Sequence, residues 1–334
     1  MKYLERIPNW AYLCAVALVV VTLNSGCDSS GVFDTPDEQE ISPTHSSPAI
    51  NMPAIVDDRM YFKDFDDFGE YISGIAHADS LSIDYLPSPP GFLSLLEDTE
   101  QLMLSLEDES EADQSGLEAL DMYEIEIVED PYFASVLNKD GEIQIGDDVF
   151  KITRNYAYRV SVADAGFLKS VSLRQPDHSA LLELQDGSFE VHEIERSARI
   201  YGALESGKTM GSSTCKRDFV RKRRLSGKSW VTDYWLYASA GTESVSERKA
   251  GIRGWVNNRI ERVAFTATYN VEDSHGSTTS GSETKVVQNG HTARSVFAQD
   301  WGGRATMTGS VDSSHDGERA SVSRECSTSI YRAG

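Results

Sequence analysis

Basic residues are scarce where the chain is most acidic. Between Asp28 and Phe150 stand 3 Lys or Arg against 31 Asp or Glu, and the 334-residue chain as a whole carries a formal net charge of −22. Such a surface does not neutralise phosphates, which argues against general nucleic-acid binding while leaving room for a local basic site. Cysteine is equally sparse, at 4 residues. The apolar run Ala11–Leu23 is 13 residues long, short of the about 20 that cross a bilayer as a helix. Catalytic motifs are thin as well. No GxSxG elbow and no GxxxxGK[ST] loop occurs, and His192-Glu193 is followed by Arg196 where a zinc-binding second His would stand. What is present is 40% hydrophobic and 25% charged residues, enough for a buried core and room for about two domains.

The amino terminus reads as an export signal. Lys2 and Arg6 precede the apolar run, which fits a signal-peptide core. Ser25-Gly26-Cys27 resembles the bacterial lipoprotein signal, although Asn24 stands where an aliphatic residue is usual and Leu23 lies one place early. The expectation is therefore a signal peptide over 1–26, a lipidated Cys27, and a Ser-, Pro- and acid-rich disordered tether over 27–56. The membrane partner would be reached through the lipid, on the periplasmic or extracellular face of the cell envelope; without lipidation the protein would be secreted.

Charge divides the remainder. Residues 28–150 have net charge −28 and residues 215–334 have +5, which suggests two units with different surfaces. The fold class expected is α+β: an acidic unit over 57–205 with helices and a β-hairpin, then an all-β unit over 215–334, sandwich-like or barrel-like. Tyr61, Phe65, Phe68, Ile72 and Ile75 recur at helical spacing, with Asp57 or Asp58 as N-cap. A second helix follows Pro90-Gly91, and Glu107–Gly116 is an acidic loop. Gly146-Asp147 would form a type II′ turn that pairs Ile145 with Asp148, Ile143 with Phe150 and Glu142 with Lys151, the last pair on an exposed face. Further strands are expected at Tyr156–Val162 and Ser188–Ile194. In the second unit they are expected at Ser229–Ala238, Glu243–Trp255, Arg262–Tyr269, Arg294–Gln299, Ala305–Val311 and Glu318–Arg324.

With Cys14 leaving and Cys27 lipidated, Cys215 and Cys326 remain as a disulfide pair in an oxidising compartment. Asn138 to Asp147 carries part of a calcium-loop pattern, but Val136 replaces the first ligand and Asp140-Gly141 reads as a turn. No metal and no cofactor is implied. Asp130-Pro131-Tyr132-Phe133, continuing through Asp140-Gly141 to Ile152, resembles a stretch of uncharacterised envelope lipoproteins of the Bacteroidota. Looser likeness lies at 61–68, 91–95 and 224–230. The resemblance implies an envelope protein and transfers no catalytic residue.

Arg221, Lys222, Arg223 and Arg224, followed by Trp230 and Trp235, form the candidate ligand-binding cluster, suited to a polyanion or an envelope glycan. The function expected is non-catalytic, structural or ligand-binding. The alternative is a secreted or surface hydrolase acting on glycans through paired carboxylates.

Overall fold

The computed structural model describes residues 51–79, 88–105, 127–174, 189–194, 212–220, 222–250 and 254–333; the expected signal peptide, Cys27, most of the tether and the acidic loop lie outside them. In chain order come β1 (Ala54–Val56), β2 (Arg59–Phe62), α1 (Phe65–Asp79), α2 (Leu95–Ser105), α3 (Pro131–Val136), β3 (Glu142–Ile145), β4 (Asp148–Ile152) and β5 (Tyr156–Ser161). A 3-10 helix, Val162–Ser170, and β6 (Phe189–Glu193) complete this part. The six strands form one sheet in sequence order, parallel only between β2 and β3. Among the described residues no helix is long and apolar enough to cross a membrane.

Local chemistry places these elements. Asp57 and Asp58, expected as a helix cap, instead take positive φ (49° and 64°) in the turn between β1 and β2, where short polar side chains tolerate that conformation. The cap of α1 is Asp64, whose Oδ1 accepts from the Asp67 N–H at 2.9 Å. Tyr61 accordingly belongs to β2 and not to the helix. At α2, Ser94 and Glu97 bond reciprocally to each other's backbone N–H, a capping box.

The β3–β4 hairpin has the register read from the sequence, Ile145 opposite Asp148, Ile143 opposite Phe150 and Glu142 opposite Lys151. Gly146 supplies the positive φ, 60°, that its turn demands. The face assigned to solvent, however, is covered. Glu142 and Lys151 are 4% and 3% exposed. Arg59 joins them at 3.3 Å, and Lys151 Nζ also donates to the Leu168 carbonyl at 2.8 Å. The 3-10 helix and the residue that ends it supply the cover, packing Ala165, Leu168 and Val171 over Val149, Tyr158 and Val160.

Nine strands follow: β7 (Ser212–Val220), β8 (Arg223–Asp233), β9 (Trp235–Ala250), β10 (Gly254–Asn257), β11 (Ile260–Asp273), β12 (Thr278–Gly290), β13 (Thr292–Ala305), β14 (Met307–Arg319) and β15 (Val322–Arg332). An inner sheet runs β7–β8–β9, with β10 and β13 sharing the far edge of β9. An outer sheet runs β12–β11–β14–β15. The two stack as a β-sandwich around Leu225, Val231, Val263, Phe265, Val311 and Ile330. The expected strand at Glu318–Arg324 is a hairpin turn, with Ala320 and Ser321 at positive φ. Cys215 on β7 and Cys326 on β15 are disulfide-bonded, Cα atoms 6.0 Å apart and 111 residues distant in sequence. In the chain-entropy account a loop of that length contributes about 4–5 kcal/mol.

Residues Ser47–Gly334 form one compact unit, and the seam within it explains why. Tyr234, which links β8 to β9, and Trp235-Leu236-Tyr237 at the start of β9 insert into the helical part, all four residues in one core with Phe68, Phe133 and Phe150. The Leu236 N–H bonds to the Tyr234 carbonyl with Trp235 at φ 72°, a γ-turn of the strained hand. Such strain costs about 1–3 kcal/mol. Burying each aromatic ring contributes roughly 4–6 kcal/mol at about 25 cal/mol per Å², so burial wins. Two acids fix the insertion. Asp130 caps α3 through the Tyr132 and Phe133 N–H groups and accepts from the Tyr237 hydroxyl at 2.6 Å. Glu129 accepts from the Tyr234 hydroxyl, while its own N–H donates to that same oxygen.

Asp130→Ala removes a cap and strands a buried phenol, so urea denaturation should show a loss of about 2–4 kcal/mol. Tyr237→Phe leaves the cap intact and should cost only about 1–2 kcal/mol. Equal losses would mean that the helix cap is not an independent contribution.

Candidate functional site

The described members of the basic and aromatic cluster do not share one surface. Arg221 lies outside the described residues. Lys222 is an exposed turn residue at φ 65°, and Arg223 donates to the Asn258 side chain at 2.8 Å. Arg224 is bound to Glu247 at 2.7 Å and lies 3.9 Å over the Trp255 ring. Trp230 is fully buried, its Nε1 donating to Ser239 Oγ at 3.1 Å. Trp235 is 7% exposed, stacked on His192 with ring centres 5.8 Å apart and edge-on to Phe150. The tryptophans therefore serve packing and offer no open ring face beside the basic residues.

Side chains from three distant segments instead meet at the seam. A hollow of about 550 Å³ is lined by Glu190 and His192 of β6, Trp235 at the start of β9, Arg304 near the end of β13 and Thr306 just after it. Its shape comes from a bulge. Trp301 pairs with Tyr237 and Ala305 with Trp235, so Gly302-Gly303-Arg304 stand opposite Leu236 alone. Arg304 takes φ 98° there, and it and the strained Trp235 border the same space. Positive φ at bulky residues concentrates where the surrounding structure serves a site. Glu190 is partnered by Arg159 at 3.3 Å. The exposed Arg304 guanidinium has no partner among the described residues. The arrangement suits a small polar ligand with an acceptor group facing Arg304.

A second set of polar groups lies inside the sandwich. His315 is fully buried; its Nδ1 meets Ser244 Oγ and its Nε2 meets Thr328 Oγ1, both at 2.8 Å. Thr328 continues to Ser229 at 2.6 Å, and Ser229 donates to Ser313 at 2.9 Å. The ring occupies space that Gly227 leaves, since a Cβ there would lie 2.3 Å from it. Burial lowers the His315 pKa to about 4, against the pull of Glu243. On the other face of the inner sheet, burial alone would lift the Glu243 carboxyl, but Arg294, at 2.5 Å, and Lys228 outweigh it and hold it below its usual value. Ser244 and His315 resemble a nucleophile and base in geometry only, because no substrate reaches a fully buried pair.

Asn138 explains the turn that carried part of a calcium pattern. Its Oδ1 accepts from the Asp140 and Glu142 N–H groups at 3.0 and 2.8 Å, and Gly141 follows at φ 74°. His192 and Glu193 lie on strand β6, as their alternation indicates. Of the residues lining this hollow, Trp235 belongs to the cluster singled out from sequence, while Glu190, His192, Arg304 and Thr306 were not read there as ligand-binding. The Gly302-Gly303 pair, inside a run of strand residues, is the one local signal that pointed there. In comparisons with known protein families and with curated proteins, the chain matches none.

The His315 shift has a definite sign. The folded pKa of about 4 lies below the unfolded value of about 6.5, so the unfolded chain binds the proton first. Stability is full above pH 6.5 and falls by about 3 kcal/mol as pH drops to 4. Denaturant midpoints measured across pH 4–7 should show this slope in the natural chain, and His315→Gln should flatten it.

Proposed function

We propose that this is an exported, lipid-anchored envelope protein that binds a ligand without transforming it. The observation that carries the proposal is the Cys215–Cys326 bond joining the two sheets, because structural disulfides belong to oxidising compartments. The small residues before Cys27, after a 13-residue apolar run, supply the attachment. The seam hollow supports binding: it combines the guanidinium of Arg304, the hydroxyl of Thr306 and the imidazole of His192. Hydrolysis through paired carboxylates has less support. Among the described residues Glu190 is the only acid lining that hollow, and a retaining or inverting pair needs a second about 5–10 Å away.

Mass spectrometry of the protein from membranes should find a mature chain that begins at an acylated Cys27, and Cys27→Ser should release it from the membrane fraction. An intact chain starting at Met1 in cytosol, with Cys215 and Cys326 as free thiols, would overturn the proposal.

A further inference from the structure

The middle of the outward face of the outer sheet carries two neighbouring rows built mainly from hydroxyl side chains. Strand register aligns Thr284, Thr266, Ser314 and Ser327 in one row across all four strands. The next row is Ser282, Thr268, Asp312 and Ser329. All but Ser329 are exposed, and Ser329 is half-buried. Neighbours within a row stand about 4.8 Å apart and the rows about 7 Å apart, the spacings of a pleated sheet. Six of these eight residues line a shallow hollow of about 520 Å³, which extends to Ser213 and Thr214 of β7 at the sandwich corner. Tyr331, two residues past Ser329 on the same face, is 38% exposed.

A sheet face of this kind is chemically selective. Each hydroxyl donates one hydrogen bond and accepts two, and so matches a ligand that itself carries alternating donors and acceptors. Among the described residues no Lys, Arg or His lines the hollow, and its one charge is the Asp312 carboxylate, which accepts from Ser329 Oγ. Phosphate, sulfate and uronate groups are recognised by guanidinium or ammonium groups and would be repelled here. A carboxylate beside hydroxyls accepts from neighbouring sugar hydroxyls, and an exposed tyrosine ring provides a flat apolar face for the C–H side of a pyranose.

We propose that this hollow binds an uncharged glycan laid across the strands, with Thr266, Thr268, Asp312 and Ser314 as hydrogen-bonding partners and Tyr331 as the stacking platform. The inference rests on the binding reading above for its premise that a ligand exists. Its site is separate from the lipid anchor and from the seam hollow.

The test uses the full chain carrying Cys27→Ser. It is titrated calorimetrically with neutral oligosaccharides, namely β-glucan, mannan and chitin oligomers, and with heparin and polygalacturonate as charged controls. The expected result is binding to at least one neutral oligosaccharide, little affected by 0.5 M salt, and weakened about tenfold or more in Thr268→Val/Asp312→Asn. Both substitutions keep side-chain size at exposed strand positions, so circular dichroism should be unchanged. Should that variant lose its fold, Tyr331→Ser carries the same expectation. No neutral binding, or neutral binding unaltered by these variants, overturns the proposal. Binding only to the charged controls, abolished by salt, also overturns it, while leaving the broader binding reading standing.

Discussion

A buried carboxylate that serves two masters holds this structure together. Asp130 ends one element and receives another: it caps α3 and accepts the Tyr237 hydroxyl, with no exposed surface of its own. A carboxylate so placed is tolerated only if its acceptor capacity is used, and three donors meet it here. Burial and the neighbouring Asp130 charge push the Tyr237 phenol well above its usual pKa, so it remains a donor at any physiological pH. Around this contact the rings of Phe68, Phe133, Tyr234 and Tyr237 meet at 4.8–6.3 Å. The acidic and basic parts of the chain thus join through phenol–carboxylate bonds and rings, while Arg224 and Arg294 pair with Glu247 and Glu243 of their own sheet.

The sandwich solves a different problem. Its centre carries Ser229, Thr242, Ser244, Ser313 and Thr328 between the sheets, where aliphatic side chains usually sit. Small side chains let the sheets approach closely, and each hydroxyl bonds to another hydroxyl, to His315 or to a backbone carbonyl. A core of this type gains less from the hydrophobic effect than an aliphatic one. The covalent link between β7 and β15 compensates at the corner where the sheets share no strand pairing.

What could be read from the sequence was what local chemistry decides. The β3–β4 register follows from one glycine and the alternation around it, and the turn at Asn138–Gly141 from side chains that bond their own backbone. Strand β12 escaped notice because most of its residues are exposed, which leaves Thr278–Gly290 almost without alternation. The Glu142–Lys151 pairing was legible, but its burial was not, since the cover comes from Arg59 and from a helix near Leu168. The same limit applied to the tryptophans: nothing near Trp230 reveals that Gly241 lies against its ring. The seam hollow draws on residues 190–192, 235 and 304–306, so only the folded chain assembles it.

The bond joins Cys215 to Cys326, 111 positions apart in sequence, and the span between them contains the hairpin turns near Gly276, His291 and Ala320. Exposed turns are where proteases cut. A single nick at any of them would leave both fragments tied by sulfur as well as by strand pairing. Damage of that kind would stay silent until a reductant arrived.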